Sequence, residues 1–256
     1  MTKFSANLGF LWTELDLPKA IFAAKSAGFQ AVECHFPYEV NTLDVIDALN
    51  ETELPMVGLN TQRGNVEKGD NGLSAVIGRE NEAREYIAQA VEYATAINCQ
   101  NVHVMAGFTD QGEASENTFR ENLDYACSLA NKHNIRILIE PLNHYDAPNY
   151  HLNNIESAVN TIKAVGHDNI KVMFDCYHIQ IMQGDLARRL SDNLSSVGHI
   201  QFAAVPDRGE PDLGEVHFQN LFKSIDDMGW SGFLGAEYKP RSGDTSQGLT
   251  WMQTYQ

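Results

Sequence analysis

Short apolar runs alternate with longer segments of helical periodicity along the chain. The short runs are rich in β-branched residues and predict strands over residues 4–10, 31–36, 55–61, 101–107, 135–141, 170–176, 199–205 and 233–239. Between them, apolar positions recur at helical spacing and predict helices over residues 17–29, 42–50, 83–98, 117–134, 153–166, 185–198 and 217–229. Gly28, Gly166, Gly198 and Gly229 stand where four of these helices should end, as a left-handed C-cap requires.

This alternation favours a parallel sheet covered by helices, and eight strands are the number that closes a TIM barrel. The structural alternative is a doubly wound open sheet. That fold usually carries a Gly-rich turn after its first strand, whereas NLGFLWTELD offers a single glycine there. We find no low-complexity linker and no shift in composition, so we predict one (β/α)8 TIM-barrel domain over residues 1–256.

One connection is unusually long. Residues 62–80, QRGNVEKGDNGLSAVIGRE, follow the third strand on the face where barrel active sites lie. Loops of this length are uncommon unless they are functional or disordered. We interpret the segment as a lid, with an ordinary surface loop as the alternative.

The chain is strongly acidic, with a formal net charge of −16. This charge opposes a nucleic-acid or anionic-membrane partner, because both require a basic surface. An anionic small molecule remains compatible where a few local cations offset the field. The four cysteines form no CxxC pair, and the N-terminus lacks a signal-peptide h-region. We therefore expect reduced thiols in a soluble, cytoplasmic protein; a homo-oligomer is compatible with the sequence.

Polar residues stand at the ends of four consecutive predicted strands. Glu140 ends the fifth strand, Asp175 the sixth, and Glu237 lies near the end of the eighth. Gln201 comes from the seventh strand, near its start as predicted, and strand bounds read from sequence vary by several residues. Strand C-termini converge on one face of a barrel, so these residues should become neighbours. Three carboxylates and an amide oxygen suit a hard divalent cation, Mg²⁺ or Mn²⁺. A single strand-end acid is more often a helix N-cap or an ion-pair partner, and the agreement of four strands favours the metal site.

Other side chains are candidates for contacts with a substrate. His178 and His144 follow Asp175 and Glu140 closely. Arg208 and Lys239 are rare cations near the predicted mouth, and Lys239 follows Glu237 by two positions, so alternation along the eighth strand predicts it on the same side. The arginine could bind a substrate carboxylate through two parallel hydrogen bonds. Pairing with neighbouring acids is the alternative for either cation.

Two further histidines lie in predicted strands. His35 ends the second predicted strand and could line the site, while His103 lies inside the fourth. A histidine of the barrel core, hydrogen-bonded to a neighbour, is an equally good interpretation of His103.

Two carboxylates beside a cation can move a proton between adjacent carbons. The metal would polarise a carbonyl and stabilise an enediolate, while Glu140 and Glu237 take and return the proton. A carboxylate that binds the metal through one oxygen keeps the other free to act as a base. The sequence has no GxSxG, P-loop or HExxH motif, which excludes several competing chemistries.

The strings FSANL, HVMAG, IEPLNH, HIQFAAVPDRGEP, GEV and EYKP resemble the hydroxypyruvate isomerase family, among the xylose isomerase-like TIM barrels. The similarity runs from Phe4 to the C-terminal tail. It implies a metal-dependent isomerase that converts hydroxypyruvate to tartronate semialdehyde. It also implies Glu140, Asp175, Gln201 and Glu237 as the metal ligands and the two glutamates as the catalytic pair.

The resemblance indicates the reaction class more closely than it indicates the substrate. LNTQRG and NVHVMAG look more like the related 2-oxo-tetronate isomerases, whereas IEPLNHYDAPNYHL looks more like hydroxypyruvate isomerase. HIQFAAV and GEVHF depart from the usual pattern without changing a proposed ligand. A sugar 3-epimerase would need room for a longer polyol, and an AP-endonuclease-like hydrolase would need more histidine ligands and a basic groove. A non-catalytic binding protein is opposed by the intact acid set.

Overall fold

The computed structural model describes residues 2–255, and its centre is a barrel of parallel strands. The strands are β1 (Lys3–Asn7), β2 (Ala31–Glu33), β3 (Leu59–Asn60), β4 (Asn101–His103), β5 (Arg136–Ile139), β6 (Ile170–Asp175), β7 (Val197–Phe202) and β8 (Phe233–Ala236). They are hydrogen-bonded in the order β2-β1-β8-β7-β6-β5-β4-β3. A bridge between Val32 and Met56 joins β2 to the segment before β3, so the barrel is nearly closed. The TIM-barrel prediction is confirmed, and the open-sheet alternative is wrong.

Helices cover the outside of this barrel. They are α1 (Leu17–Ser26), α2 (Thr42–Thr52), α3 (Glu80–Ala96), α4 (Glu113–Ala130), α5 (Ile155–Val165), α6 (Cys176–Met182), α7 (Leu186–Asn193), α8 (Phe218–Asp227) and α9 (Met252–Tyr255). Short 3₁₀ helices occur at Val66–Lys68, Asn131–His133, Leu194–Ser196 and Thr245–Trp251. None of the described helices is long and apolar enough to span a bilayer.

The helix ends follow the sequence signals with one exception. Gly28, Gly166 and Gly229 adopt positive φ just beyond a helix, as a C-cap requires. Gly198 instead lies inside β7, because α7 ends at Asn193 and a 3₁₀ turn leads directly into the strand.

Alternation along the strands separates the outer core from the barrel interior. Phe202 faces outward and packs against Phe4 and Phe222, with ring centroids 5.8 and 4.9 Å away. Full burial of each such ring contributes about 1.5–3 kcal/mol to stability. Because neighbouring side chains on a strand point to opposite faces, this packing directs Gln201 into the barrel. The aromatic layer thereby positions an interior polar residue.

The long segment after β3 is partly fixed to the barrel. Gly72 forms an antiparallel bridge with Ala106, and the backbone N–H groups of Ser74 and Ala75 donate to residues just past β4. Residues 65–69 are exposed and contain the short 3₁₀ turn. A lid would therefore be confined to this tip, and its closure stays a prediction.

Candidate active site

A cavity of about 240 Å³ opens at the C-terminal end of the barrel. Its lining includes His35, which follows β2, Glu140, which follows β5, and Glu237, which follows β8. The other lining residues are Phe10, Phe36, Asn60, Arg63, Asn71, His103, Met105, Leu142, Asp146, Ala147, His178 and Arg208. Strand ends far apart in sequence thus meet at one cavity.

The acids predicted from the strand ends come together here. Glu140, Asp175, Glu237 and His178 each offer one ligand atom, and these four atoms lie within 4.8 Å of one another. All four side chains are buried. Gln201 is buried beside them, and its amide nitrogen lies 3.4 Å from Glu237 Oε1. The structure therefore brings together the whole predicted acid and amide set.

Glu237 is surrounded by hydrogen-bond donors. Its Oε1 accepts from Asn7 Nδ2 at 2.9 Å and contacts His35 Nε2 at 3.1 Å, while Oε2 accepts from Arg208 Nη2 at 2.7 Å. Burial by itself would raise the pKa of this carboxyl, but Arg208 and His35 outweigh burial and lower the pKa to about 2. Glu237 is therefore held as a carboxylate.

Glu140 and Asp175 have the opposite tendency. Burial and the nearby charge of Glu237 raise the pKa of Asp175 to about 8 and that of Glu140 well above its ordinary value. Asp175 Oδ1 accepts from the Tyr177 backbone N–H at 2.8 Å and so caps α6, whereas Oδ2 has no hydrogen bond among the described residues. Glu140 Oε1 is likewise unpartnered within residues 2–255, and its Oε2 lies 3.6 Å from His103 Nδ1. From the sequence, a helix N-cap and a place in the acid cluster are alternatives for a strand-end acid. One oxygen of Asp175 caps the helix and the other lies in the cluster.

The hydrogen bonds of His178 determine its tautomer. The backbone N–H of Asn143 donates to Nδ1 at 3.0 Å, and the Asn143 side-chain nitrogen lies 2.8 Å from the same atom. Burial and the charge of Arg208 lower the pKa of His178 to about 3, so the ring is neutral and its proton is on Nε2. This proton lies on the side of the acid cluster, where Nε2 is 3.5 Å from Asp175 Oδ2 without forming a hydrogen bond to it. A protonated nitrogen cannot bind a metal, so we assign His178 as a potential donor to a ligand in the cavity.

The unpartnered atoms of the cluster fit a divalent cation. Glu140 Oε1, Asp175 Oδ2 and Gln201 Oε1 are buried acceptors that form no hydrogen bond in the described part of the chain. The donors near Asp175 Oδ2, His178 Nε2 and Arg208 Nη2, remain 3.5 and 3.7 Å away. Buried acceptors of this kind are rare in folded proteins unless an ion or water satisfies them. With His178 acting as a donor, the available ligands are all oxygens, the set that hard cations such as Mg²⁺ prefer. This cluster can hold a metal ion.

Arg208 is fixed in the cavity wall. Its guanidinium lies between the rings of Phe10 and Tyr177, 4.7 and 4.8 Å from their centroids. Besides Glu237, it contacts Asp146 Oδ2 at 3.3 Å. Burial would lower the pKa of this guanidinium, but the surrounding carboxylates raise it, so the charge is retained.

Two predicted substrate contacts are not brought to the cavity. Lys239 is exposed, and β8 ends at Ala236, so the strand alternation used to place this lysine no longer applies. Its backbone N–H donates to the Arg208 carbonyl at 2.8 Å, and the residue is not among those that line the cavity. His144 is also exposed and stacks on Tyr145, with ring centroids 4.0 Å apart. The structure does not support a substrate contact by either side chain.

The sequence analysis missed several residues of the site. Asn7 ends β1 and donates to Glu237, so the strand-end argument could have found it. Glu33 ends β2 and forms a buried 2.6 Å contact with His199, deeper in the barrel. Arg63 comes from the long segment after β3, and only its place in the predicted lid hinted at a role.

Comparisons with known proteins agree with this geometry. The family described as xylose isomerase-like TIM barrels matches residues 21–255. A 2-oxo-tetronate isomerase from Cupriavidus necator is 41% identical, covering 100% of this chain and 99% of its own. Hydroxypyruvate isomerase from Escherichia coli K12 is 37% identical over 100% of both chains. The crystal structure of an AP endonuclease, family 2, from Brucella melitensis is 38% identical, with a TM-score of 0.95 and 100% of both chains covered.

Full-length similarity to two named isomerases, on a barrel whose strand ends carry the acid cluster, gives the assignment. The chain belongs to the xylose isomerase-like TIM barrel family, in the group of hydroxypyruvate and 2-oxo-tetronate isomerases, and is an isomerase.

Proposed function

We propose that this isomerase acts on a small hydroxy-keto acid, with conversion of hydroxypyruvate to tartronate semialdehyde as the first candidate reaction. The observation that carries the proposal is the buried acid cluster, in which Glu140 and Glu237 line one cavity and approach within 4.8 Å. The relatives named for hydroxypyruvate and 2-oxo-tetronate support the same substrate class.

The reaction requires two linked proton movements. One proton leaves C3 of hydroxypyruvate and one is added at C2, while a hydroxyl proton passes from O3 to O2, so atoms and electrons balance through an enediolate. Glu140 and Glu237 are suited to the carbon steps because they lie together in one buried cavity. One carboxylate takes the proton from C3 and the other delivers a proton to C2.

Glu140, Asp175, Gln201 and Glu237 would hold a divalent cation, Mg²⁺ or Mn²⁺. When bound, the cation supplies Lewis-acid polarisation of the substrate carbonyl and stabilisation of negative charge. The unpartnered oxygens of the first three residues support this ligand set.

Neighbouring side chains have supporting roles. His178 directs its Nε2 proton toward the cluster and can donate to a substrate oxygen. Arg208, held by Phe10 and Tyr177, keeps Glu237 ionised and oriented. Apolar lining such as Leu142 and Met105 limits access of water to the enediolate.

A 2-oxo-tetronate is the second candidate substrate. The relative named for it is 41% identical, against 37% for the hydroxypyruvate isomerase of Escherichia coli. The two substrates differ by one hydroxylated carbon and share the 2-oxo carboxylate, so the same acid cluster serves both.

The test is a proton NMR assay in D₂O with Mg²⁺ or Mn²⁺, offering hydroxypyruvate, 2-oxo-tetronates and neutral ketoses in parallel. We expect turnover of a keto acid, with deuterium at C2 of the earliest product, because a proton on glutamate exchanges with solvent. Preferred turnover of neutral ketoses would contradict the substrate class. Complete retention of the substrate hydrogen at C2 would contradict a transfer in which one glutamate takes the proton and the other delivers a different one.

A further inference from the structure

We infer that Arg63 is the residue that recognises the substrate carboxylate, an inference that rests on the proposed function and makes its specificity explicit. The sequence pointed to Arg208 and Lys239 for this task. Arg63 lies in the segment after β3, is half-buried, and lines the same cavity as Glu140 and Glu237.

The charges around the cavity require a dedicated cation. Three carboxyl groups are buried beside one another in this cavity, and each of them that is ionised repels an anionic substrate. The cationic side chains in the lining are those of Arg63 and Arg208. Arg208 is already engaged by Glu237 at 2.7 Å and by Asp146 at 3.3 Å. The positive charge of Arg208 is therefore largely neutralised by Glu237 and Asp146.

Arg63 is not engaged in this way. Its guanidinium forms no hydrogen bond or ion pair with any residue between 2 and 255, and it lies over the Phe36 ring, 4.9 Å from the centroid. Stacking on an aromatic face fixes the guanidinium plane and leaves its edge free. A guanidinium edge is matched in geometry to the two oxygens of a carboxylate.

The backbone around Arg63 holds it at the cavity. Its carbonyl accepts from the Gly72 N–H at 2.8 Å, which closes the segment into a loop. Gly72 has a φ of 102°, and a Cβ there would lie 2.7 Å from the Met105 backbone, so glycine is required. Asn71 and Asn60 line the cavity near this closure and offer further polar groups. The loop thus holds a cationic side chain in the wall of the cavity that Glu140 and Glu237 also line.

A substrate held in this way would place its carboxylate at Arg63 and its C2 and C3 carbons at the two glutamates. Neutral ketoses lack the group that Arg63 binds. The arginine would therefore select keto acids, whereas the acid cluster would perform the chemistry.

The experiment compares wild-type protein with the Arg63→Gln and Arg63→Lys variants, all loaded with Mg²⁺. Arg188→Gln is the matched control, because it removes the same charge from a solvent-exposed arginine that pairs only loosely, at 3.7 Å, with Asp185. Steady-state constants are measured with hydroxypyruvate and with dihydroxyacetone, its neutral analogue. Calorimetric titration with pyruvate, which shares the 2-oxo carboxylate and lacks the C3 hydroxyl, measures binding without turnover.

For Arg63→Gln we expect kcat/KM for hydroxypyruvate to fall about 10- to 100-fold, mainly through KM, and pyruvate binding to weaken by a similar factor. Activity with dihydroxyacetone should change little, Arg63→Lys should keep part of the affinity, and Arg188→Gln should match wild type. The protein could bind pyruvate through Arg63 and yet turn over no keto acid. That result would support the inference about Arg63 and contradict the proposed reaction. Keto-acid turnover and pyruvate binding within twofold of wild type in Arg63→Gln, or no pyruvate binding by the wild type, would overturn it.

Discussion

In the absence of divalent cations, the folded protein should become less stable as the pH rises from 6.5 to 8. Burial and the charge of Glu237 raise the pKa of Asp175 from 3.8 to about 8, and Glu140 is shifted in the same direction. In this window the folded chain keeps a proton that the unfolded chain has already released. Because the folded state binds more protons, the free energy of unfolding falls with rising pH.

Other groups of the site with shifted pKa values set the lower limit of this pH range. Burial lowers the pKa of His178 and of His103 from 6.5 to about 3, so the unfolded state gains protons on them below pH 6.5 and stability falls there. The pKa of Glu237 is lowered to about 2 in the folded protein, so its stabilising contribution is lost only as the pH falls below 4.5, its pKa in the unfolded chain. Above pH 6.5 the raised carboxyl groups dominate.

The size of the effect follows from the width of the window. One proton released over 8 − 6.5 = 1.5 pH units, at about 1.36 kcal/mol per unit, corresponds to at most about 2 kcal/mol for the Asp175 carboxyl. For a chain of this size, that free energy corresponds to a decrease in Tm of about 4–8 °C.

The assay is thermal unfolding in chelator across this pH range, repeated with excess Mg²⁺. A cation binds the ionised carboxylates, so Mg²⁺ should raise Tm more at pH 8 than at pH 6.5. Asp175→Asn is the control, because it removes a titrating group and should flatten the slope in chelator. A Tm in chelator that is constant or rises toward pH 8, with an equal Mg²⁺ effect at both ends, would refute the reasoning.

Three further predictions concern single elements of the site. Gln201→Leu removes a buried unpartnered oxygen, so Mg²⁺ binding measured by calorimetry should weaken about tenfold without loss of Tm in chelator; unchanged affinity would exclude Gln201 as a ligand. Lys239→Met should leave kcat/KM for keto acids within about twofold, because this residue is exposed and does not line the cavity, and a large loss would restore the role predicted from sequence. If residues 62–80 act as a lid, saturating pyruvate should slow amide hydrogen exchange at residues 65–70, and unchanged exchange would leave an ordinary loop.

The fold and the acid cluster could be predicted because they depend on local pattern and on the rule that strand ends converge. Glu140 and Asp175 directly follow or end apolar runs, and barrel closure brings them together without any knowledge of the loops. The predicted fourth strand, residues 101–107, is longer than β4. Residues 104–107 are buried and continue the apolar pattern, but they are not part of the strand. The Met105 N–H donates there to the Thr61 side chain instead of to a strand.

Other features of the site depend on tertiary contacts that no local pattern contains. Strand alternation failed for Lys239 because β8 ends three residues earlier. The tautomer of His178 is determined by Asn143, 35 positions away, and the place of Arg63 by loop closure through Gly72. The helix α6 was missed because it begins at Cys176, directly after β6, and no loop separates the two elements: Asp175 both ends the strand and caps the helix.

The central claim is that Glu140 and Glu237 carry the proton between the substrate carbons, and Glu237→Gln tests it most directly. This change keeps the size and one ligand oxygen of the side chain while removing its basicity. The measurement is the initial rate of hydroxypyruvate isomerisation by NMR, on protein shown by melting and metal analysis to be folded and loaded with Mg²⁺. The account predicts a fall of about 100-fold or more. Turnover at the wild-type rate in the folded, Mg²⁺-loaded variant would contradict it.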